Sequence, residues 1–149
     1  MTAFVVDTPI GRLTGLVTGL GIASLLPRGA VPKEARRDDA HPAAREVREW
    51  FAGKRREFTV PVDLSSTPPF TRKVLERLCE IPYGATRTYG EIARDVGSPR
   101  GARAVGQAVG SNPVPVIVPC HRVLAAGGGI GGFGLGLDAK RKLLARETT

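Results

Sequence analysis

Residues 70–110 read FTRKVLERLCEIPYGATRTYGEIARDVGSPRGARAVGQAVG, and their spacing decides the fold of the second half of the chain. Phe70, Val74, Leu75, Leu78 and Ile81 recur at helical intervals, which predicts an amphipathic helix over Phe70–Glu80. Pro82-Tyr83-Gly84 ends it. Thr88-Tyr89-Gly90-Glu91 carries a hydroxyl at the cap and a carboxylate three residues on, the pattern of a capping box, so a second helix opens there and runs to Val96. After Gly97, Ser98-Pro99 opens a third, from about Arg100 to Val109. Two short helices joined by a glycine-containing turn outline a helix-turn-helix. Many enzymes also contain such pairs, so the spacing alone leaves DNA binding open.

The third helix is unusual in composition. Gly101, Ala102, Ala104, Gly106, Ala108 and Gly110 put small side chains on most of it, with Arg103 and Gln107 projecting. Glycine weakens a helix by about 1 kcal/mol relative to alanine, so a close approach has to compensate. Tight packing on another helix and entry into a narrow groove of DNA, with Arg103 as a probe, both fit.

Upstream, Ser65-Ser66-Thr67-Pro68-Pro69 supplies hydroxyl caps followed by prolines, a way to begin a helix, and divides the chain into 1–66 and 67–149. Before it, Phe4–Val6, Leu13–Val17 and Ile22–Leu26 are short apolar segments separated by glycine-containing turns, as in hairpin-linked strands. Val31–Pro42 reads as a surface loop. Ala43–Phe51 reads as a short helix with Val47, Trp50 and Phe51 on its apolar side, and Phe58–Val62 as a strand returning to the sheet. The fold class expected is α+β, a small N-terminal antiparallel-sheet lobe followed by a mostly helical C-terminal lobe with a helix-turn-helix.

With 22 Lys and Arg against 14 Asp and Glu, the 149-residue chain carries +8, a balance that draws a protein to polyanions. Nucleic acid leads, ahead of an anionic membrane surface. No stretch approaches the roughly 20 apolar residues of a bilayer span, and the first residues do not show a charged segment followed by an apolar run, the pattern that marks secretion, so a cytoplasmic location is expected, associated with the nucleoid if the source is bacterial. The two cysteines, Cys79 and Cys120, build no disulfide framework and lack zinc-site spacing. Cys79, near a helix end, reads as plain packing. His41, in the charged linker, reads as a surface residue, and no metal or cofactor is expected.

Val114-Pro115-Val116-Ile117-Val118-Pro119 is a continuous apolar run, read as a buried extended segment, that delivers Cys120-His121-Arg122 at its end. A thiol with an ordinary pKa near 8.5 is a few per cent thiolate at neutral pH, so a working nucleophile needs a base, and His121 can supply it. Neighbouring side chains on an extended segment face opposite ways, so a water or a bend has to connect the two. On its own the pair is weak evidence for catalysis, and a buried thiol beside a hydrogen-bonded histidine is the reading it favours.

The larger pattern is specific. Ile81-Pro82-Tyr83-Gly84, Thr88-Tyr89-Gly90-Glu91, Ala102-Arg103-Ala104-Val105-Gly106, Ser111-Asn112-Pro113 and Val118-Pro119-Cys120-His121-Arg122-Val123 together resemble, in order and spacing, the C-terminal domain of the O6-alkylguanine-DNA alkyltransferases, also called methylated-DNA-protein-cysteine methyltransferases. The first lobe, with Asp7-Thr8-Pro9-Ile10-Gly11 and Trp50-Phe51-Ala52-Gly53-Lys54, is similar to that family's smaller N-terminal domain in shortened form. The resemblance implies a single-turnover repair protein, a monomer acting on double-stranded DNA that carries alkylated guanine. It implies that Cys120 takes the alkyl group, that His121 passes on the thiol proton through a water, and that Glu147 orients His121. Asn112 would hold the active-site loop, and Tyr89 would donate a proton as guanine leaves. Arg103 would fill the gap left by an extruded nucleotide, with Thr71, Ser98, Gly90, Ala102 and Gly106 along the DNA. Phe133, Gly134 and Val123 would line the substrate pocket.

Within the glycine-rich run 127–136, Phe133, Gly134 and Leu135 stand where the family usually has tyrosine, serine and glycine, so methyl is the expected substrate. Asp138–Glu147 reads as a closing helix with Leu143 and Leu144 inward and Lys140, Arg141, Lys142 and Arg146 solvated. Two other functions stay open here: a damage-recognition module that flips alkylated bases without repairing them, and a cysteine hydrolase using Cys120 and His121.

Overall fold

The structure, a computed structural model, describes residues 1–27 and 29–148 and divides into two compact units, Met1–Leu64 and Ser65–Thr149. Among the described residues no helix is long and apolar enough to cross a membrane.

In the first unit, β1 (Thr2–Thr8), β2 (Gly11–Thr18) and β3 (Gly21–Pro27) form the expected antiparallel meander. Its first turn closes where Thr8 Oγ1 donates to the Gly11 carbonyl at 2.6 Å, Gly11 taking a φ of 108°. Within the stretch expected to be a loop, β4 (Arg36–Arg37) adds in parallel to β1, giving the order β3-β2-β1-β4. Asp39 makes the addition possible, because its carboxylate accepts the Val5 amide at 2.9 Å beside the new pairing. Helix α1 (Pro42–Phe51) begins with proline in its first turn, and the His41 ring accepts the Ala43 amide at 3.0 Å. It buries Ala43, Ala44, Val47 and Trp50 in the same core as Phe4, Leu13 and Leu25.

The expected strand over Phe58–Val62 is absent; a single bridge between Ile22 and Val62 remains of it. The cause is Glu46, a buried carboxylate on α1. It accepts the Thr59 amide at 2.8 Å, the Val60 amide at 3.3 Å and the Thr59 hydroxyl, so these donors are not free for a ladder.

In the second unit, α2 (Pro69–Leu78), α3 (Tyr89–Asp95) and α4 (Ala102–Gly110) pack on one another through Val74, Leu75, Leu78, Ile92, Ala93, Val105 and Val109. The capping box forms as the sequence predicts: Thr88 Oγ1 accepts the Glu91 amide at 3.1 Å, and Glu91 accepts the Thr88 amide at 3.0 Å. The cap position of α2 falls on Pro68, whose side chain has no acceptor for the amides of the first turn, and Pro69 follows at the first helical position. A tight turn, in which the Gly101 amide donates to the Ser98 carbonyl at 2.7 Å, delays α4 to Ala102. Strand β5 (Arg87–Thr88) pairs in parallel with β6 (Val123–Leu124), and α5 (Leu137–Glu147) closes the unit.

Four placements differ from the sequence reading. Cys79, at the C-cap of α2, is exposed, because the helix turns its Val74, Leu75 and Leu78 side inward and leaves the cap residue outside. Lys140 is fully buried, whereas Leu144 is only half-buried: α5 turns Lys140, Leu143 and Glu147 inward at i, i+3 and i+7. Arg146 is likewise half-buried, and Arg141 and Lys142 are exposed.

Removing the Glu46 carboxylate leaves three donors without their acceptor, at a cost of about 2–4 kcal/mol. Glu46→Ala should therefore lower the urea midpoint of the first unit, followed through Trp50, the chain's single tryptophan. An unchanged midpoint would show that the 59–60 segment holds without Glu46.

Candidate active site and nucleic-acid interface

The run 114–119 is a tight turn, not an extended segment. Val116 takes a φ of 76°, and among the described residues it is the one non-glycine with positive φ. A β-branched residue there stores about 1–3 kcal/mol of strain, which its surroundings have to hold. Asn112 does so: Oδ1 accepts the Val114 amide and Nδ2 donates to the Val118 carbonyl, both at 2.9 Å, and the Val118 amide closes on the Val114 carbonyl at 2.9 Å. Pro119, at φ −80° and ψ 66°, then makes an inverse γ-turn in which the Cys120 amide donates to the Val118 carbonyl at 2.8 Å. Cys120–Arg122 follow as one 3-10 turn. The bend needed to relate neighbouring side chains is therefore built into the backbone.

This turn buries Cys120, 4 % exposed, and burial pushes its thiol up to about 11. The Asn112 side chain, the backbone amides of Cys120 and Val116, and the Lys140 charge oppose that rise. The strained Val116 thus aims a donor at the sulfur. A thiol this far raised is protonated at neutral pH, and reaction requires a base that removes its proton.

His121 is fully buried, with Nε2 2.9 Å from Glu147 Oε2. Burial holds its pKa below the usual histidine value, against the pull of Glu147, so the ring is neutral at pH 7. The carboxylate assigns the ring proton to Nε2 and leaves the lone pair on Nδ1. Glu147 is clamped from its other side. Arg122 Nε donates to Oε1 at 2.9 Å and Oε2 at 3.0 Å, and Nη2 to Oε2 at 2.6 Å. These donors bring the Glu147 carboxyl down to about 2 in spite of burial.

The Pro82-Tyr83-Gly84 corner wraps the same centre. The Ile81 carbonyl accepts Arg122 Nη1 at 2.6 Å, the Tyr83 hydroxyl donates to the Arg146 carbonyl at 3.0 Å, and the Arg122 guanidinium lies 5.8 Å from the Tyr83 ring centroid. Arg122, Tyr83, Val116 and Lys140 were assigned no role from the sequence. Lys140 alone had a usable signal, since it falls on the face set by Leu143 and Glu147.

Tyr89 stands at the start of α3, half-buried, with the Gly132 amide directed at its oxygen. Burial and the Cys120 sulfur both raise its pKa, so it stays a phenol able to donate. Its ring lies 3.9 Å from where a Cβ on Gly106 would be, and its hydroxyl 3.1 Å from a Cβ on Gly131. A Cβ at Gly106 would only touch the ring, whereas one at Gly131, whose φ is 70°, would crowd the hydroxyl.

The structure therefore brings Cys120, His121, Glu147, Asn112 and Tyr89 to one centre. Val123 is fully buried behind it, while Phe133 is half-buried and Gly134 exposed in the loop that abuts α4. On α4, Ala102, Arg103, Ala104, Gln107 and Gly110 are exposed, and Gly106 half-buried. Thr71, Ser98 and Gly90 are half-buried near the starts of α2, α4 and α3, on the same unit but outside the thiol cluster. This unit holds 12 Lys and Arg against 6 Asp and Glu, whereas residues 1–64 hold 10 against 8, so the positive excess sits with the thiol and the exposed small-residue helix.

Residues 69–149 match the family model described as 6-O-methylguanine DNA methyltransferase, DNA binding domain. The chain is 50 % identical over 105 residues to the methylated-DNA–protein-cysteine methyltransferase of Mycolicibacterium paratuberculosis, covering 70 % of this chain and 63 % of that one. It is 46 % identical over 110 residues to the inducible protein of that name from Bacillus subtilis, covering 74 % and 61 %. The chain thus spans less than two thirds of the length of these relatives. Among solved structures, Mycobacterium tuberculosis OGT in complex with DNA superimposes with a TM-score of 0.89 at 40 % identity, over 99 % of this chain and 92 % of that one.

Glu147 should make the second unit sensitive to acid. Its folded pKa, about 2, lies below the ordinary glutamate value of 4.5, so its stabilisation is full above pH 4.5 and is lost as pH falls toward 2. The shift corresponds to about 3 kcal/mol. The lowered pKa of His121 acts in the same direction, from pH 6.5 downward. Urea unfolding followed by helical circular dichroism should show Glu147→Gln less stable than the parent at pH 7, with the gap narrowing steadily as pH falls from 4.5 toward 2. A constant gap across that range would remove Glu147 as the cause.

Proposed function

The chain belongs to the 6-O-methylguanine DNA methyltransferase family, and we propose that it repairs DNA directly, Cys120 taking the alkyl group from the O6 of guanine in a double strand and keeping it as a thioether. The observation that carries this reading is the buried thiol at the head of a turn whose next residue is a neutral imidazole held by Glu147.

The thiol proton passes to the His121 imidazole through a bridging water. The sulfur forms its bond to the alkyl carbon as the carbon–O6 bond breaks, and negative charge moves onto the purine. A phenol proton from Tyr89 neutralises it, and the proton gained by His121 restores the balance. A donor placed where charge develops stabilises the transition state more than the ground state. No water or second substrate attacks the thioether, so one protein molecule is consumed per lesion.

The reacting oxygen is inaccessible inside a stacked duplex, so the nucleotide has to be swung out. The exposed Arg103 on α4 is the side chain that fills its place, and the small residues around it let the helix enter a groove about 6 Å wide. Thr71, Ser98, Gly90, Ala102 and Gly106 lie along the strand backbone. Val123 backs the pocket, while Phe133 and Gly134 set its width for methyl. The protein works in the cytoplasm on chromosomal DNA.

Incubation with duplex DNA carrying O6-methylguanine should add about 14 Da to the Cys120 peptide, once per molecule, and nothing to Cys120→Ala. Tight binding without a mass gain would favour a recognition module. Arg103→Ala should slow transfer from duplex DNA at least about tenfold more than reaction with the free modified base. Equal losses on both substrates would exclude the flipping role.

A further inference from the structure

The transfer scheme leaves one buried charge without a task. Lys140 is fully buried on α5, and its Nζ donates to the Val123 carbonyl at 2.7 Å and to the Gly132 carbonyl at 3.1 Å. Among the described residues it makes no ion pair with a carboxylate, and the ionisable group that acts on it is the Cys120 thiol. A buried ammonium is costly unless it is hydrogen-bonded and compensated, so its retention needs a reason.

Its two acceptors supply one. Val123 opens β6, three residues after the nucleophile. Gly132 lies within a run holding seven glycines in ten residues, 127–136, which has little stiffness of its own. The neighbouring Gly131 lies against the Tyr89 hydroxyl, 3.1 Å from where its Cβ would be, and the Gly132 carbonyl is held by Lys140. The next residue, Phe133, presents its ring 6.0 Å from Nζ.

We propose that Lys140 is a positioning residue for the transfer reaction, fastening the Gly132–Phe133 wall of the alkyl pocket to the strand behind Cys120 and setting a positive charge toward the sulfur as it ionises. The inference rests on the proposed transfer activity for its substrate, and its electrostatic half stands without DNA. The other ionisable groups around the sulfur are Tyr89 from α3, His121 and Arg122 from the turn, and Glu147 from α5. The Lys140 charge also helps keep His121 neutral, so losing it raises both the thiol and the imidazole.

The test uses the full chain with Cys79→Ser, because the exposed Cys79 would react with a thiol probe. In Lys140→Met, the pH profile of Cys120 alkylation by iodoacetamide should move alkaline by about one unit. Methyl transfer from duplex DNA should fall roughly tenfold or more. Lys140→Arg should keep the profile near the parent's, because the charge stays. A Lys140→Met protein with the parent's profile and transfer rate overturns the proposal. If Lys140→Met fails to fold, nitrogen-15 spectra of the lysine ammonium groups in the parent decide: a protected resonance that moves as the thiol titrates supports it, and none responding overturns it. Failure of the parent to accept methyl would count against the transfer activity, and the thiol profile would still read the charge of Lys140.

Discussion

A carboxylate taken out of water costs several kcal/mol unless its oxygens are fully engaged, and Glu147 is engaged from two directions at once. Arg122 grips both oxygens, and the His121 ring shares one of them. Because Arg122 and His121 directly follow Cys120, this single carboxylate ties the last helix to the turn that carries the nucleophile. The Ile81 carbonyl, bonded to Arg122, extends the tie to the end of α2. Loss of the ionised carboxylate would leave a guanidinium buried without its partner, a larger penalty than the net worth of the pair.

On that anchor the reactive end of the site is held under strain. Val116 occupies a backbone region that a β-branched residue avoids, and the Asn112 bridges keep it there, so that its amide faces the sulfur. Burial meanwhile raises the thiol well above neutrality, leaving the site quiet until a base draws the proton. In the proposed transfer the neutral, oriented His121 is that base. If each molecule is spent in one event, as proposed, such reserve is an advantage, because stray oxidation or alkylation of an open thiolate would waste it.

Much of this was legible in the sequence, and the rest was hidden for physical reasons. Helical periodicity and the capping box located α2, α3 and α4, since both are local codes. The strand over 58–62 failed because its amides go to Glu46, thirteen and fourteen residues away, a tertiary competition that no local pattern records. The run 114–119 looked extended because apolar β-branched residues favour strands; two prolines and the Asn112 bridges bend it instead. The resemblance identified Cys120, His121, Asn112, Tyr89 and Glu147 as site residues, and the fold brings them together. Arg122 stood in the quoted motif without a role, because adjacency does not show which carboxylate it meets. Lys140 was read as solvated on charge alone, although the face shared with Leu143 and Glu147 pointed inward.

The account stands on activation of Cys120 through His121 and Glu147, not through ionisation of the thiol by itself. The pH dependence of single-turnover methyl transfer separates the two. With His121 as the base, held neutral by its lowered pKa, the rate should be level from about pH 8 down past pH 6.5 and fall only below that. A rate that climbs about tenfold per pH unit from 6 to 9, following a bare thiol with a pKa of about 11, would contradict it.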